Sequence, residues 1–241
     1  YQKTSDLPGE ASSHLGIGNI YDIKGKYDFA LSSYFKALEI SKKAENNRGI
    51  GLSQLGIGNM MMMLKRYQDA AEHYNESYSI FKTLHDPLQS WALNNLAASY
   101  ESSGNIEKAL EMYLESANIK KRENDNYGLS FTFDDIGNIY KTKKNYKKAL
   151  EYYFLALELK KKISNNDELL AHTLSMMAQV YSEMKEFSIA LNYFEEAKKN
   201  AERANAKREK LTVLQGLSEL FASQQNFEKA YRMHLVFFQL N

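Results

Sequence analysis

The spacing of apolar residues along the chain predicts α-helices. In residues 27–44 the apolar positions recur every three or four residues, and charged residues fall between them. The apolar positions are Ala30, Leu31, Tyr34, Ala37, Leu38 and Ile40, and the same order returns as Ala149, Leu150, Tyr153, Ala156, Leu157 and Leu159. Such a stripe predicts an amphipathic helix with one buried face. The intervening charges are then expected to be solvated, among them Lys42, Lys43, Glu151 and Lys160.

A five-residue pattern recurs at a nearly constant interval. It reads Ile17-Gly18-Asn19-Ile20-Tyr21, and its last position returns after 40, 39, 40, 41 and 40 residues. The later copies occupy residues 57–61, 96–100, 136–140, 177–181 and 217–221. An alanine column keeps the same interval, at Ala30, Ala70, Ala109, Ala149, Ala190 and Ala230. Two columns in one register predict an internal structural repeat.

Each repeat is predicted to contain two helices joined by a short turn. In the first repeat, helix A runs from Pro8 to about Lys24, Gly25-Lys26 forms the turn, and helix B runs from Tyr27 to about Ala44. Proline suits a first helical turn, where its missing N–H would have no partner. Glycine suits the position just after a helix, because it adopts positive φ without steric cost.

Six such repeats fill the chain as a single predicted array. Their expected bounds are about 7–46, 47–86, 87–125, 126–166, 167–206 and 207–241, and residues 1–6 are expected to end a preceding helix. The chain begins at Tyr1 in the register of a helix B end, and its last residues lie inside another helix B. We therefore expect it to be a fragment of a longer protein.

A column of small residues inside helix A predicts close helix packing. Its members are Gly18, Gly58, Ala97, Gly137, Ala178 and Ser218. Glycine inside a helix costs about 1 kcal/mol relative to alanine, so three glycines at this position need a structural reason. We expect them to let helix A approach helix B, with the alanine column as the opposing surface. Each repeat then buries its apolar face against its neighbours.

These columns resemble the tetratricopeptide repeat. The resemblance rests, in the first repeat, on Ile17, Gly18, Tyr21, Gly25, Tyr27, Ala30, Tyr34 and Ala37. It implies an all-α fold, an α-solenoid in the form of a right-handed superhelix of about six helix-turn-helix units. The usual proline after helix B is absent, and the interval of about 40 residues exceeds the usual 34. This longer repeat is similar to those of Leu-Gly-Asn polarity adaptors, kinesin light chains and bacterial regulators.

Composition and charge favour a binding protein over an enzyme. Lys and Arg number 31 against 30 Asp and Glu, which argues against a nucleic-acid or membrane-surface binder. No cysteine is present, and no apolar run approaches the length of a membrane helix. The five histidines lack metal-ligand spacing, and the adjacent Asp134 and Asp135 would point about 100° apart on a helix. We expect no catalysis, no metal, no cofactor and a cytoplasmic location.

The resemblance also implies a concave groove lined by A helices. Carried over from the family, the residues expected to contact a protein or peptide ligand are Leu15, Asn19, Ile23, Leu52, Leu55, Asn59, Met62, Met63, Trp91, Asn94, Phe131, Asp134, Asn138, Lys141 and Gln179. The carboxamide column, Asn19, Asn59, Asn138 and Gln179, either clamps a ligand backbone or hydrogen-bonds the neighbouring unit. The apolar members either anchor a partner or seal one A helix against the next. Met60 and Met61 are assigned to the core.

Two functions are consistent with these patterns. The first is a non-catalytic peptide- or protein-binding scaffold, the regulatory or sensory region of a larger bacterial signalling protein whose output domain lies elsewhere, or else a eukaryotic-type adaptor. The second is a structural assembly element that forms homo-oligomers through its end helices, with Phe237-Phe238 as the contact surface.

Overall fold

The computed structural model describes residues 6–240, and every regular element in that range is an α-helix. The helices are α1 (Leu7–Ile23), α2 (Tyr27–Lys43), α3 (Asn47–Met63), α4 (Tyr67–Thr83), α5 (Leu88–Ser102), α6 (Ile106–Arg122), α7 (Asn126–Thr142), α8 (Tyr146–Lys160), α9 (Asp167–Glu183), α10 (Phe187–Arg203), α11 (Lys207–Ser223) and α12 (Phe227–Leu240). The odd-numbered helices are the predicted A helices and the even-numbered ones the B helices. The all-α class and the six helix pairs are confirmed.

The chain divides into two compact units at the third repeat boundary. The first unit ends at Glu123 and contains α1–α6, and the second begins at Asn124 and contains α7–α12. A single uninterrupted array therefore stays a prediction. The proposed end of a preceding helix lies outside the described residues, except for Asp6. That residue is the N-cap of α1, and its carboxylate accepts a hydrogen bond from Gly9 N–H.

One turn geometry joins helix A to helix B in all six described repeats. After α1, Gly25 N–H donates to Asp22 C=O and Lys26 N–H donates to Tyr21 C=O, the two hydrogen bonds of a Schellman motif. The first donor has positive φ in every case. Among the described turns, glycine occupies this position at Gly25, as predicted, and at Gly104. The other four repeats use Lys65, Lys144, Lys185 and Gln225.

The glycines inside the A helices pack against tyrosine rings of the paired B helix. A Cβ atom added to Gly18 would lie 2.5 Å from Cε1 of Tyr34, and one added to Gly58 would lie 2.6 Å from Cε1 of Tyr74. Gly137 meets a third such ring, Tyr153. The predicted close approach is confirmed. The opposing surface is corrected, because the tyrosine ring and not the alanine column lies nearest to the glycine.

Aromatic rings at this register also join neighbouring repeats within a unit. In the first unit, Tyr34 on α2 lies against Gly56 on α3, where an added Cβ would be 2.7 Å from the ring. In the second unit, Phe194 on α10 lies against Gly216 on α11 in the same way. The Tyr34 ring is therefore held between Gly18 on its own A helix and Gly56 on the next one.

Each unit has its own buried core. In the first unit the core includes Ile57, Met60 and Met61, which confirms the assignment of both methionines. The second core includes Tyr153, Met177, Val180, Phe194 and Leu217. Over residues 6–240, no helix has both the length and the apolar character that a membrane span requires.

Candidate functional site

The A helices of the first unit border a hollow of about 320 Å³. Its lining comes from α1, α3 and α5, with one tyrosine from α4 below. The lining residues are Asp22, Asn59, Met60, Met62, Met63, Tyr74, Asn95 and Ala98. Three of the predicted partner-binding residues, Asn59, Met62 and Met63, thus share one depression. A second hollow, of about 150 Å³, includes the predicted Leu15 and Leu52.

The asparagine column is tied to the B helix of its own repeat. The Tyr74 hydroxyl donates to Asn59 Oδ1 at 2.8 Å. Two further pairs repeat this bond at 2.7 Å, Tyr34 with Asn19 and Tyr153 with Asn138. One of the two predicted roles was a hydrogen bond to the neighbouring unit, and Asn59 also makes one, because Asn95 Nδ2 of the next repeat donates to its Oδ1 at 3.4 Å. Since Oδ1 is occupied, the Nδ2 amide is the group that Asn59 can direct into the hollow.

Where the asparagine is missing, the hydrogen bonding changes. In the third repeat Ala98 takes its place, and the Tyr113 hydroxyl donates to Glu101 Oε2 at 2.9 Å. Burial raises the pKa of Glu101 above its ordinary value. In the fifth repeat Gln179 accepts a hydrogen bond from Lys141 Nζ at 2.9 Å. The ring of that repeat is a phenylalanine, Phe194, so the asparagine and the tyrosine hydroxyl are lost together.

The charge of Asp22 acts on two of these tyrosines. Burial, together with the Asp22 carboxylate, raises the pKa of Tyr34 to about 12. The same two causes raise the pKa of Tyr74 further. Both hydroxyls are protonated at neutral pH and donate to Oδ1 of Asn19 and Asn59. Asp22 supplies a negative charge at the edge of the hollow.

The other predicted residues of the first unit differ in exposure. Ile23 is 87% exposed and Met63 is 53% exposed, whereas Leu55 is half-buried. Trp91 lies at the surface with its ring centroid 4.7 Å from Lys120 Nζ. Asn94 also accepts a hydrogen bond from Lys120 Nζ, at 3.3 Å. The structure thus leaves the A-helix side of this unit accessible, while several polar groups there already have intramolecular partners.

In the second unit the predicted Asp134 is buried. It is 2% exposed and forms an ion pair and hydrogen bond with Lys160, whose exposure is 0%. The Thr173 hydroxyl donates to Asp134 at 3.1 Å, and the predicted Phe131 ring lies 4.6 Å from Lys160 Nζ. Burial raises the pKa of Asp134, and Lys160 and Thr173 act in the opposite direction.

Lys160 was predicted to have a solvated side chain, and that prediction is wrong because the side chain is buried. It ends α8 in a run of three lysines, which resembles an exposed face in the sequence. The sequence shows only that lysine recurs 40 positions apart, at Lys120 and Lys160. In the structure Lys120 faces Asn94 and Trp91 as Lys160 faces Asp134 and Phe131. Lys42, Lys43 and Glu151 are exposed as predicted.

His172 lies near this buried pair on α9. Burial, with the charges of Lys160 and Arg208, lowers the pKa of its imidazole to about 4. The ring is therefore neutral at physiological pH. Within residues 6–240, no group of three or more His, Cys, Asp or Glu side chains is arranged to hold a metal ion.

Comparison with known proteins identifies the repeat. A sequence profile described as tetratricopeptide repeat matches residues 49–122 and 128–203, and a second profile of that description matches residues 13–48. The chain belongs to the tetratricopeptide repeat family. The resemblance found in the sequence is thereby confirmed.

One curated relative is a bacterial transcriptional activator. The transcriptional activator NprA of Geobacillus stearothermophilus is 29% identical over 138 residues. The match covers 55% of this chain and 34% of NprA, so this chain spans about a third of that relative.

Solved structures share the tetratricopeptide repeat fold. The apo form of RapI superposes with a TM-score of 0.75 at 19% identity, over 96% of this chain and 97% of RapI. Aspartyl phosphate phosphatase F from Bacillus subtilis has a TM-score of 0.74 at 19% identity, over 98% of this chain and 61% of that one. A Rap protein complexed with competence and sporulation factor has a TM-score of 0.72 at 11% identity, over 98% and 77%.

Proposed function

We propose that this chain is a non-catalytic scaffold that binds a peptide, or an extended segment of a partner protein, on the A-helix side of the first unit. The observation that carries the proposal is the hollow formed by Asp22, Asn59, Met62 and Met63. It combines a carboxylate, a carboxamide donor and thioethers on a surface that the described chain leaves accessible.

The chemistry of this hollow suits a peptide. An asparagine oriented by a tyrosine can offer its Nδ2 amide to a backbone carbonyl of an extended ligand, which is an open hydrogen-bond acceptor. Methionine side chains are flexible and polarisable, so they adapt to apolar groups of different shape. A site with both features supports recognition of a peptide that alternates backbone hydrogen bonds with apolar anchors.

The proposal also includes a role in bacterial signalling. It is supported by the relative NprA, described as a transcriptional activator, and by Rap structures, one of which is a plasmid conjugation regulator in complex with the Phr* peptide. Those descriptions apply to those proteins. An output domain adjoining this chain, and the cytoplasmic location, remain parts of the proposal.

Selection of a binding peptide, followed by measurements on variants, tests the proposed peptide-binding function. A phage-displayed library of random heptapeptides is selected on the immobilised protein, and the recovered peptide is labelled for fluorescence anisotropy. Asn59→Asp keeps an acceptor for the Tyr74 hydroxyl but removes the Nδ2 donor, so we expect the affinity to fall by about tenfold or more. Asn75→Asp, at an exposed position on α4, adds the same charge and is expected to leave the affinity unchanged.

A second variant removes the apolar contact. Met63→Asp places a charge on the exposed rim of the hollow and is expected to weaken the same peptide. Selection without enrichment, or a peptide whose affinity is the same in Asn59→Asp, Met63→Asp and the unchanged protein, would contradict this function.

A further inference from the structure

The third repeat carries its carboxamide at a different position on helix A. In the first, second and fourth repeats an asparagine follows the small-residue column, and in the third repeat Ala98 takes that position. Asn95 lies three residues earlier on α5, so it shares a helix face with Ala98. Both residues line the hollow of the first unit. The short side chain of Ala98 leaves room there, and Asn95 brings a carboxamide to it.

Asn95 reaches the asparagine of the preceding repeat. At its register the second and sixth repeats have Gly56 and Gly216, and each lies against the aromatic ring of the preceding B helix. The ring that precedes Asn95 is Tyr74, whose hydroxyl donates to Asn59 Oδ1 at 2.8 Å. Asn95 Nδ2 donates to the same oxygen at 3.4 Å. Side chains from α3, α4 and α5 thus form one hydrogen-bonded group.

This group presents one donor and one acceptor to the hollow. Asn59 Oδ1 accepts two hydrogen bonds, so both of its lone pairs are used and Nδ2 is the polar group left to donate. Asn95 uses its Nδ2, and within residues 6–240 no group donates a hydrogen bond to its Oδ1. Both side chains are half-buried and line the hollow, so a ligand in it can contact them together.

A donor beside an acceptor matches one residue of an extended peptide. In an antiparallel β ladder, a hydrogen-bonded residue exchanges both its N–H and its C=O with the residue opposite. The two backbone groups of such a residue therefore point to the same side. Asn59 Nδ2 and Asn95 Oδ1 can take the place of the opposite residue, although they come from two neighbouring A helices.

We propose that Asn95 is a second ligand-binding carboxamide, and that it accepts the backbone N–H of the ligand residue whose C=O binds Asn59. The inference rests on the proposed function and names the backbone groups that the site recognises. The 3.4 Å hydrogen bond to Asn59 is long and therefore weak, so Asn95 can turn toward a ligand at small cost. Proline has no N–H, so the site rejects it at this position of the ligand.

Backbone N-methylation of the selected heptapeptide, one residue at a time, tests this contact. An N-methyl group removes the N–H and keeps the side chain. At one position we expect the affinity of the unchanged protein to fall by about tenfold or more, because Asn95 Oδ1 loses its donor. Asn95→Ala should weaken the unmodified peptide by a similar factor. In that variant the same methylation should have no further effect, since the two changes remove one interaction.

An exposed carboxamide on α6 provides the matched control. Asn118→Ala should bind the unmodified peptide like the unchanged protein and keep the full effect of N-methylation. Fluorescence anisotropy measures each affinity. Unchanged far-ultraviolet circular dichroism in both alanine variants shows that a loss of binding does not come from unfolding.

Failure of this inference can be told apart from failure of the proposed function. The role of Asn95 is overturned if Asn95→Ala binds the peptide unchanged, or if its effect multiplies with that of N-methylation at every position. Weaker binding to Asn59→Asp and Met63→Asp in the same experiment would leave peptide binding itself supported. A selection without enrichment would contradict both.

Discussion

At the scale of single residues, one aromatic ring on a B helix sets how closely the A helices approach it, as Tyr34, Tyr74, Tyr153 and Phe194 show. In the first repeat, Tyr34 lies against Gly18 on its own A helix and against Gly56 on the next one, and its hydroxyl binds Asn19. The ring therefore fills the space that the glycines leave, while the hydroxyl fixes an asparagine at the A-helix surface. Packing inside the repeat and the polar groups on its accessible side depend on the same side chain.

Two glycines on α1 give opposite expectations for the same substitution. Gly18→Ala would drive a methyl group into the Tyr34 ring, and overpacking of about 1–3 kcal/mol outweighs the gain in helix propensity, so the free energy of unfolding falls. A methyl group added at Gly16 has no other atom within 4 Å, so Gly16→Ala should raise the free energy of unfolding by about 1 kcal/mol. Urea unfolding at low protein concentration measures both. A stabilising Gly18→Ala variant would show that the ring does not set the helix spacing.

The buried ion pair of the second unit predicts a large effect of one lysine. Lys160→Ala leaves the Asp134 carboxylate buried without its cation, which typically costs about 3–5 kcal/mol of unfolding free energy. Lys161→Ala changes an exposed neighbour and should alter it by less than about 0.5 kcal/mol. Denaturant unfolding compares the two, and the double variant Asp134→Leu with Lys160→Met should recover most of the loss. Equal effects of the two single lysine variants would contradict the burial of Lys160.

Lys160 shows why burial of charge was missed in the sequence. A lysine followed by Lys161 and Lys162 has the pattern of a solvated helix end. Its burial depends on Asp134, 26 positions away, and on Thr173, 13 positions away, which reach it only through helix packing. The small-residue and alanine columns were predictable because their members recur at a fixed interval. The Asn–Tyr pairs also recur, 15 residues apart, and the sequence therefore contained a signal for their hydrogen bond.

At the scale of elements, the A–B turns impose positive φ whether or not glycine is present. Gly25 has φ of 67° and Lys65 has φ of 59° in the same Schellman geometry. A side chain with a Cβ atom is strained in this region by roughly 1–2 kcal/mol. Glycine therefore marks the turn in the first and third repeats, but the other repeats form the same turn without glycine. The turns at Lys65, Lys144, Lys185 and Gln225 contain no glycine at this position, so in the sequence only the repeat interval indicates them.

This geometry predicts a reciprocal pair of substitutions. Lys65→Gly relieves the strain but adds freedom to the unfolded chain, so we expect a net rise of about 0.5–1 kcal/mol in the free energy of unfolding. Gly25→Ala introduces the strain and should lower it by about 1 kcal/mol. Thermal or urea unfolding of both variants checks the pair. A destabilised Lys65→Gly variant would contradict the assigned turn.

At the scale of the whole molecule, the two units present different chemistry on their A helices. The first unit has an accessible hollow with Met62, Met63 and Asn59. The second has a buried Asp134–Lys160 pair and a Lys141–Gln179 hydrogen bond. The fold could be predicted from residue intervals, because each column reports a repeated contact. Which residues of the candidate site are accessible could not be predicted from the sequence, because exposure depends on which side chains already have partners after packing.

Methionine methyl spectroscopy tests the central claim most directly, because the chain has nine methionines and they mark both units. In the protein labelled with ¹³C at the methionine methyl groups, titration with the selected heptapeptide is predicted to shift the Met62 and Met63 signals. The signals of Met176, Met184 and Met233 in the second unit should stay in place. Shifts confined to those second-unit methionines, with Met62 and Met63 unmoved at saturating peptide, would contradict a binding site on the A-helix side of the first unit.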